Sequence, residues 1–501
     1  MKINYLKKGV AFCLAFSMVG LFSCTDLEAI ESDSDFDQEV GGIVMPDNPT
    51  ELVEAAYNNL AIFTEQNNVY SLYQHTSDEM IPPTRGVDWG DNGVWRTLHA
   101  HTWDATHAHV LTAWNDMNQR LFATQVILAA NPSVEQRADA LFLQGFYTHK
   151  VLDLYGVVPF REFNDGVDDL PRVISRAEAI DQAIANVEEA LPGLPSLAPG
   201  ENFTGSKAAA NLLLTQLYLN RAVYKADNPA GPYSFNNDDL MKVVEYADAI
   251  AEDGYKVDSN YFSIFEAGTN SEAILYSNNG TPQNRWFMTL HYNNNPSGWN
   301  GFASIAELYD SFEEGDPRFG TEAEPDGTEF SGIGTGFLQG QQVGDDGQNL
   351  TTRNGAPLVF TDDVSLAGAA EGAGVRVIKY HPGRSDKYIM MRYSEAMLNK
   401  AEALFRMGNT ADALAVINGM RTARGGPQLA NLDEAEMLDE RAREMYWEMT
   451  RRSDQIRFGT FTGEGSTWTG KPDQSDDSRV LFPIPQQALD SNPNLTQNEG
   501  Y

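Results

Sequence analysis

Along most of this chain apolar residues recur at intervals of three and four, and in two places the pattern fails. That spacing lines one face of a helix, which then packs inward. It predicts a first helix from Pro49 to about Gln66, with Leu52, Ala55, Ala56, Leu60 and Phe63 turned in. A second resumes near Thr106 and runs through Val110, Trp114, Met117, Leu121 and Ile127 to Ala130. Pro132-Ser133 opens a third, which carries Ala140, Leu143, Phe146, Leu152 and Leu154 and stops at Gly156. The Ser175-x-x-Glu178 capping box starts another that reaches Leu191, before Pro192-Gly193. Ser206 to Ala226 and Asn237 to Asp253 follow, and after a long gap Tyr388 to Met407, Thr410 to Arg424 and Asp433 to Arg452. These helices form antiparallel-compatible pairs with alanines at close-packing positions. They resemble tetratricopeptide units without holding the regular period of about 34 residues. The expected fold class is therefore mainly α: a degenerate helical-hairpin core with a long irregular region and short strands.

The first interruption is Arg85-Gly86-Val87-Asp88-Trp89-Gly90-Asp91-Asn92-Gly93-Val94-Trp95, inside an aromatic loop over residues 84–103. Three glycines break regular structure there, yet two tryptophans sit between acidic and amide residues, outside any apolar periodicity. An indole face beside carboxylate, amide and guanidinium groups suits a sugar, whose C–H face stacks on the ring while its hydroxyls find polar partners. The alternative is that the rings anchor the loop, one serving as a buried post for the other. The second interruption runs from about Asp258 to Asp386, rich in Gly, Asn, Asp and Pro. Short strand-like runs appear in it, Ala273–Tyr276 and Val375–Ile378, together with a second aromatic group: Trp286, Phe287, His291, Tyr292 and Trp299. A loop-rich stretch of that length is more often functional than decorative.

Composition narrows the ligand. The 501 residues carry a formal net charge of −36, so nucleic acid and anionic membrane surfaces are poor partners and a neutral ligand is the natural expectation. The two cysteines, Cys13 and Cys24, lie within the first 24 residues, which excludes disulfides and cysteine metal sites from the folded body. Lys2, Lys7 and Lys8 precede an apolar run from Gly9 to Phe22 that is short for a membrane span. With Leu21-Phe22-Ser23-Cys24 it resembles a bacterial lipobox. Residues 1–23 are read as a lipoprotein signal peptide, Cys24 as the acylated residue, and residues 24–48 as an acidic tether. His99, His101, His107 and His109 form two His-x-His pairs, but their spacing matches no recognised zinc pattern, and packing or capping is the better reading. No cofactor is expected, although so many carboxylates leave a structural calcium ion open. Nucleophile-elbow, Walker and dinucleotide motifs are absent from the sequence, and no carboxylate pair stands out.

Several segments resemble the SusD/RagB family. Met391 to Ala403 is similar to its Arg-Tyr-Ala-Glu…Ala-Glu-Ala helix; Arg441 to Glu448 with Arg451 to Arg457 is similar to its Arg-x-x-Glu-aromatic…Arg-x-x-Asp-x-x-Arg segment. The ending Leu481-Phe482-Pro483-Ile484-Pro485…Asn492-Pro493-Asn494-Leu495-Thr496-Gln497-Asn498 is the most specific match, supported by Leu154 to Phe160 and Phe312 to Arg318. The resemblance implies a tetratricopeptide-like core in two parts, 49–257 and 387–501, around an irregular ligand-binding region, 258–386. It implies a non-catalytic lipoprotein anchored at Cys24 on the outer-membrane surface of Bacteroidetes, which captures glycan for a SusC-like TonB-dependent transporter. The charge balance favours a neutral polysaccharide or oligosaccharide, a glucan such as laminarin or a fructan. A peptide- or glycoprotein-uptake component of the same family is the alternative, and an α-rich glycoside hydrolase a more distant one. The expected ligand contacts are Trp89, Trp95, Trp299 and Trp286, with Tyr292, Asp88, Arg85 and Asn300 as polar partners. Arg441, Glu444, Arg451, Asp454 and Arg457 are read as structural ion pairs, and the terminal Asn/Gln segment as a docking tail.

Overall fold

The computed structural model describes residues 48–166 and 168–501, and the backbone of the short pair Glu39–Val40 and Ile43–Val44. The signal peptide, Cys24 and nearly all of the tether lie outside the described residues. No helix among the described residues is long and apolar enough to cross a membrane.

The predicted periodicity becomes an array of antiparallel helices. α1 is Pro49–Asn58, α2 Val69–Gln74 and α3 Val94–His99. The long helices follow: α4 Ala108–Ala129, α5 Val134–Tyr155, α6 Arg176–Ala190, α7 Lys207–Lys225 and α8 Asn237–Glu252. Each of these five packs on the next. The chain then leaves the array and returns as α9, Tyr393–Arg406, which packs on α8 and α7, and α10, Thr410–Arg424, packs on α9. α11 is Glu434–Met445 and α12 Arg451–Arg457. Sequence punctuation sets the ends of α5: the Ser133 hydroxyl and the Gln136 side chain form a reciprocal capping box, and Gly156 takes φ +73° at the C-terminus. Ser175 Oγ accepts the Glu178 N–H at 3.4 Å, but the Glu178 carboxylate receives Arg172 instead of completing the predicted box. Gly145 sits midway along α5, where a Cβ would fall 2.4 Å from Val187 Cγ2 of α6, so the two helices approach to a distance that only glycine allows.

Besides α3, which forms within the predicted aromatic loop and carries Trp95, three stretches depart from the predicted elements. The first helix ends at Asn58, Asn59–Phe63 tighten into a 3-10 turn, and Ala55 faces solvent while Val53 and Tyr57 take the inward positions. Tyr388–Arg392 form a strand rather than the start of α9, because they pair antiparallel with Ala273–Ser277 and tie the irregular region to the core. The predicted helix from Asp433 to Arg452 is broken between α11 and α12. Trp447 and Met449 take φ +61° and +64°, and their N–H groups donate to the Glu79 carboxylate and the Gln74 side-chain oxygen instead of continuing the helix.

The family-motif residues form the interior ionic hub. Arg457 holds Glu402 at 2.6 Å and Asp454 at 2.7 Å, and Arg441 holds Asp454 at 2.9 Å. Glu444 receives Arg424, Arg392 and Arg318, and Arg451 holds Asp78. The tail docks through amides: Gln497 exchanges two hydrogen bonds with Ile484, and Asn498 donates to the carbonyls of Tyr155 and Phe482.

One short ribbon decides the position of both aromatic loops. Met80 pairs with Ser304 and Ile81 with Ala303, antiparallel. Antiparallel pairing sets the chain leaving Ile81 beside the chain arriving at Ala303. The Arg85–Trp95 loop and the loop carrying Trp299 therefore emerge from the same end of one ribbon.

Candidate functional site

At that end the rings of the two loops form a continuous series from solvent to core. Trp299 is half exposed, its ring 4.9 Å from Phe287 and 6.3 Å from Trp89. Trp286 stands edge-on to Phe287 at 5.7 Å and is partly buried. Trp89, at φ +61°, donates its Nε1–H to the Trp299 carbonyl at 2.8 Å. Its ring lies over Gly301, where a Cβ would stand 2.3 Å from Trp89 Cζ2. Behind it Trp95 is 6% exposed, packed against Trp89, His75, His109 and Phe302, with its Nε1–H given to Asp91 at 2.8 Å. The Trp299 loop is stitched by backbone bonds from Trp299, Asn300 and Gly301 to the carbonyls of Phe287, Leu290 and Met288.

A charged cluster borders these rings. Asp88 accepts from Tyr292 Oη at 2.9 Å and from Arg353 at 2.7 Å. Arg353 also holds Glu371 at 2.8 Å and lies 4.2 Å over the Tyr292 ring. Glu371 faces His291 Nε2 at 3.1 Å. Burial, then the Asp88 hydrogen bond, push the Tyr292 hydroxyl up to about 12. Burial would raise the Glu371 carboxyl, but the Arg353 N–H, its guanidinium and His291 outweigh that and hold it below the usual carboxylate range. The bonds to Glu371 and Asp88 hold the Arg353 guanidinium above its ordinary range, so it stays charged. The carboxylates of Asp88 and Glu371 share the exposed Arg353 guanidinium, and the buried Arg85 and Arg376 lie close behind, both donating to the Glu371 carbonyl.

Three expected ligand contacts are buried and occupied within the protein, a correction to the sequence reading. Trp95 is the post that supports Trp89, not a presented face. Arg85 donates to the carbonyls of Asn300, Ala370 and Ala373, and burial pulls its guanidinium down to about 10. Asn300 is fully buried, receiving Arg376 on its side-chain oxygen and donating to the Glu371 carbonyl. Trp89, Trp299, Trp286, Tyr292 and Asp88 remain at the surface of the cluster. The sequence reading placed Phe287 in the second aromatic group without naming it as a contact, and missed Arg353 and Glu371 altogether. The one local signal for Arg353 was an arginine in the turn-forming stretch Thr352-Arg353-Asn354-Gly355, and nothing local joined it to Asp88, 265 positions away.

The histidine pairs serve packing. His99 reaches the carbonyls of Met80 and Thr469, His101 those of Thr76 and the Ser475 hydroxyl, His107 that of Val94, and His109 the Ser71 hydroxyl. All four are buried, which lowers their basicity, His99 to about 4 and His109 to about 3. Among the described residues no group of three or more His, Asp or Glu side chains is placed to hold a metal ion.

Comparison with known proteins agrees with this architecture. Residues 376–501 match the SusD family model. The starch-binding protein SusD of Bacteroides thetaiotaomicron is 28% identical over 423 residues, covering 74% of this chain and 73% of that one. A SusD-like protein of Bacteroides fragilis superposes with a TM-score of 0.68 at 18% identity, over 90% of this chain and 96% of that one. Surface glycan-binding protein A of Bacteroides thetaiotaomicron, solved with laminarihexaose, superposes with a TM-score of 0.63 at 17% identity, over 90% and 98%. At such identities the structural likeness speaks for the fold alone, but it extends over the helix array and the irregular region together, beyond the matched C-terminal segment. The C-terminal segment, residues 376–501, is therefore that of the SusD/RagB family, and the chain as a whole shares the fold of SusD-like proteins.

Proposed function

We propose that this protein is a non-catalytic glycan-binding lipoprotein of the outer-membrane surface. In this reading residues 258–386 with the 84–103 loop bind a neutral polysaccharide or oligosaccharide, and the protein delivers it to a SusC-like TonB-dependent transporter. The observation that carries the reading is the series Trp286–Phe287–Trp299–Trp89, with Trp299 half exposed at its outer end. An exposed indole held by backbone bonds offers a rigid face to a sugar's C–H surface, worth about 1 kcal/mol beyond area burial by analogy with aromatic pairs. Asp88, Tyr292 and the Arg353 guanidinium supply hydroxyl partners beside it. The global charge of −36 disfavours uronate and sulfated chains. Names of relatives point the same way: one is a starch-binding protein and another a glycan-binding protein solved with laminarihexaose. The lipid anchor at Cys24 and the transporter rest on the lipobox and the family. Affinity electrophoresis across neutral and acidic polysaccharides tests the proposal. Retardation by a neutral glucan or fructan is expected; retardation by acidic polysaccharides alone would sink the charge argument. Calorimetric binding of peptides with no glycan binding would favour peptide uptake, and release of reducing ends from bound polysaccharide would establish a hydrolase.

A further inference from the structure

Beside the aromatic rings, on the other side of Glu371, lies an open groove of about 540 Å3. Its lining includes Thr352, Asn354, Thr361, Asp363, Ser365 and Glu371, with small residues between them and neither an aromatic side chain nor a lysine or arginine. Val359, 39% exposed, adds one apolar spot. The volume falls within the range of small-ligand sites, roughly 300–1,000 Å3. The wall that divides groove from rings is the strap Ala370–Gly374, and it is held with unusual firmness. Two buried arginines, Arg85 and Arg376, have no carboxylate partner among the described residues and give their N–H groups to carbonyls of Ala370, Glu371, Ala373 and Gly374 and to Asn300. Removing two guanidinium groups from water without a counter-ion is costly, and burial pulls both below their ordinary basicity. In return the strap keeps one shape. Glu371 turns its carboxylate to Arg353 and His291, so this one residue borders both the ring cluster and the groove.

We infer that this groove is a second subsite, which holds a further stretch of the same neutral glycan by hydroxyl hydrogen bonds rather than by stacking. The inference rests on the glycan reading above. Hydroxyls at Thr361 and Ser365, an amide at Asn354 and a carboxylate at Asp363 offer both donors and acceptors to sugar hydroxyls. Val359 is available to the C–H face of one ring. The lining presents carboxylates, hydroxyls and an amide and no cationic side chain, which suits the hydroxyls of a neutral sugar. The ligand that fits is therefore a neutral oligosaccharide long enough, or branched so as, to pass from Trp299 across Arg353 into the groove.

Calorimetry with laminaritriose and laminarihexaose, and in parallel with maltotriose and maltoheptaose, tests this on the full protein. The double variant Ala356→Leu/Ala370→Leu fills the groove from two exposed positions, and Asn354→Ala removes a polar contact with little change of volume. The expected result is that both variants weaken the longer bound chain, the double variant by about tenfold, while the trisaccharide is bound as before. Equal loss for short and long chains, or no loss for the long chain in either variant, overturns the groove and leaves the rings as the site. Failure of the unaltered protein to bind any of the four probes overturns the glucan form of the glycan reading beneath it.

Discussion

At the scale of single residues, Trp299 and Trp95 are the same side chain in opposite roles. Trp299 is half exposed and touches Phe287 and Trp89 at its edges, so its removal leaves no cavity. Trp299→Ala is expected to abolish or strongly weaken retardation by a bound neutral polysaccharide with the thermal melt nearly unchanged. Trp95 is enclosed by four aromatic neighbours, and Trp95→Ala is expected to cost about 3–5 kcal/mol, read as a fall in Tm. A Trp95 variant with an unaltered melt would contradict its assignment as the supporting post. Gly301→Ala probes the same cluster from the backbone. The added Cβ would meet the Trp89 ring at 2.3 Å, so the ring must move and glycan binding should fall, measurable by the same electrophoresis.

At the scale of elements, the helices follow the local rules closely and the array depends on what passes between them. Gly145 is a poor helix residue by propensity, yet it lets α5 and α6 approach across Val187. Gly145→Val should force the pair apart and destabilise the protein by about 1–3 kcal/mol in denaturant unfolding, where the propensity scale alone predicts a gain. The break between α11 and α12 shows the reverse ordering of forces. Positive φ at bulky Trp447 and Met449 costs of order 1–3 kcal/mol each, and the Glu79 carboxyl and the Gln74 side-chain oxygen accept their N–H groups in place of the helical ladder. The same Glu79 precedes the Met80–Ile81 strand, so the family-motif segment and the ribbon beneath the rings share one anchor.

At the scale of the whole molecule, charge is divided between inside and outside. Many arginines are buried against carboxylates in the hub around Glu402, Glu440 and Glu444. Burial would raise Glu402 and Glu444, but the arginines beside them prevail and hold both carboxyls far below the ordinary range. A depressed folded value means stability that is present above the unfolded value, 4.5 for Glu, and is lost as the pH falls below it. Burial acts oppositely on Glu79, raised to about 7, and Asp139, raised to about 6. For these the folded state binds the extra proton, so their contribution declines as the pH climbs from about 4 to about 7. The buried histidines act more strongly: His99, His109, His149 and His381, at about 4, 3, 3 and 4 in the fold against 6.5 unfolded, contribute stability that grows as the pH rises to about 6.5. Thermal melts from pH 3 to 8 should therefore rise from the acid side to a maximum between about pH 6 and pH 7. A maximum near pH 5 would show that these histidines are protonated in the fold.

What the chain determined locally is the helical material: the apolar stripes, the Ser133 and Ser175 caps and the Gly156 stop act over a few residues and need no distant partner. Its buried ion pairs and docking tail were legible as residue types, through charge alternation and amide-rich composition, although their partners are distant. The aromatic loops were legible as anomalies, two indoles among glycines and a second ring group in an aperiodic region. Tertiary structure alone decided their meeting, because the two-residue pairing of Met80–Ile81 with Ala303–Ser304 joins segments more than 200 positions apart and carries no local mark. It also decided which ring is a post and which a face, since burial is a property of neighbours and not of the residue. Arg353 and Glu371 entered the site by that route, as did the strands and breaks where long-range hydrogen bonds overrode helical periodicity.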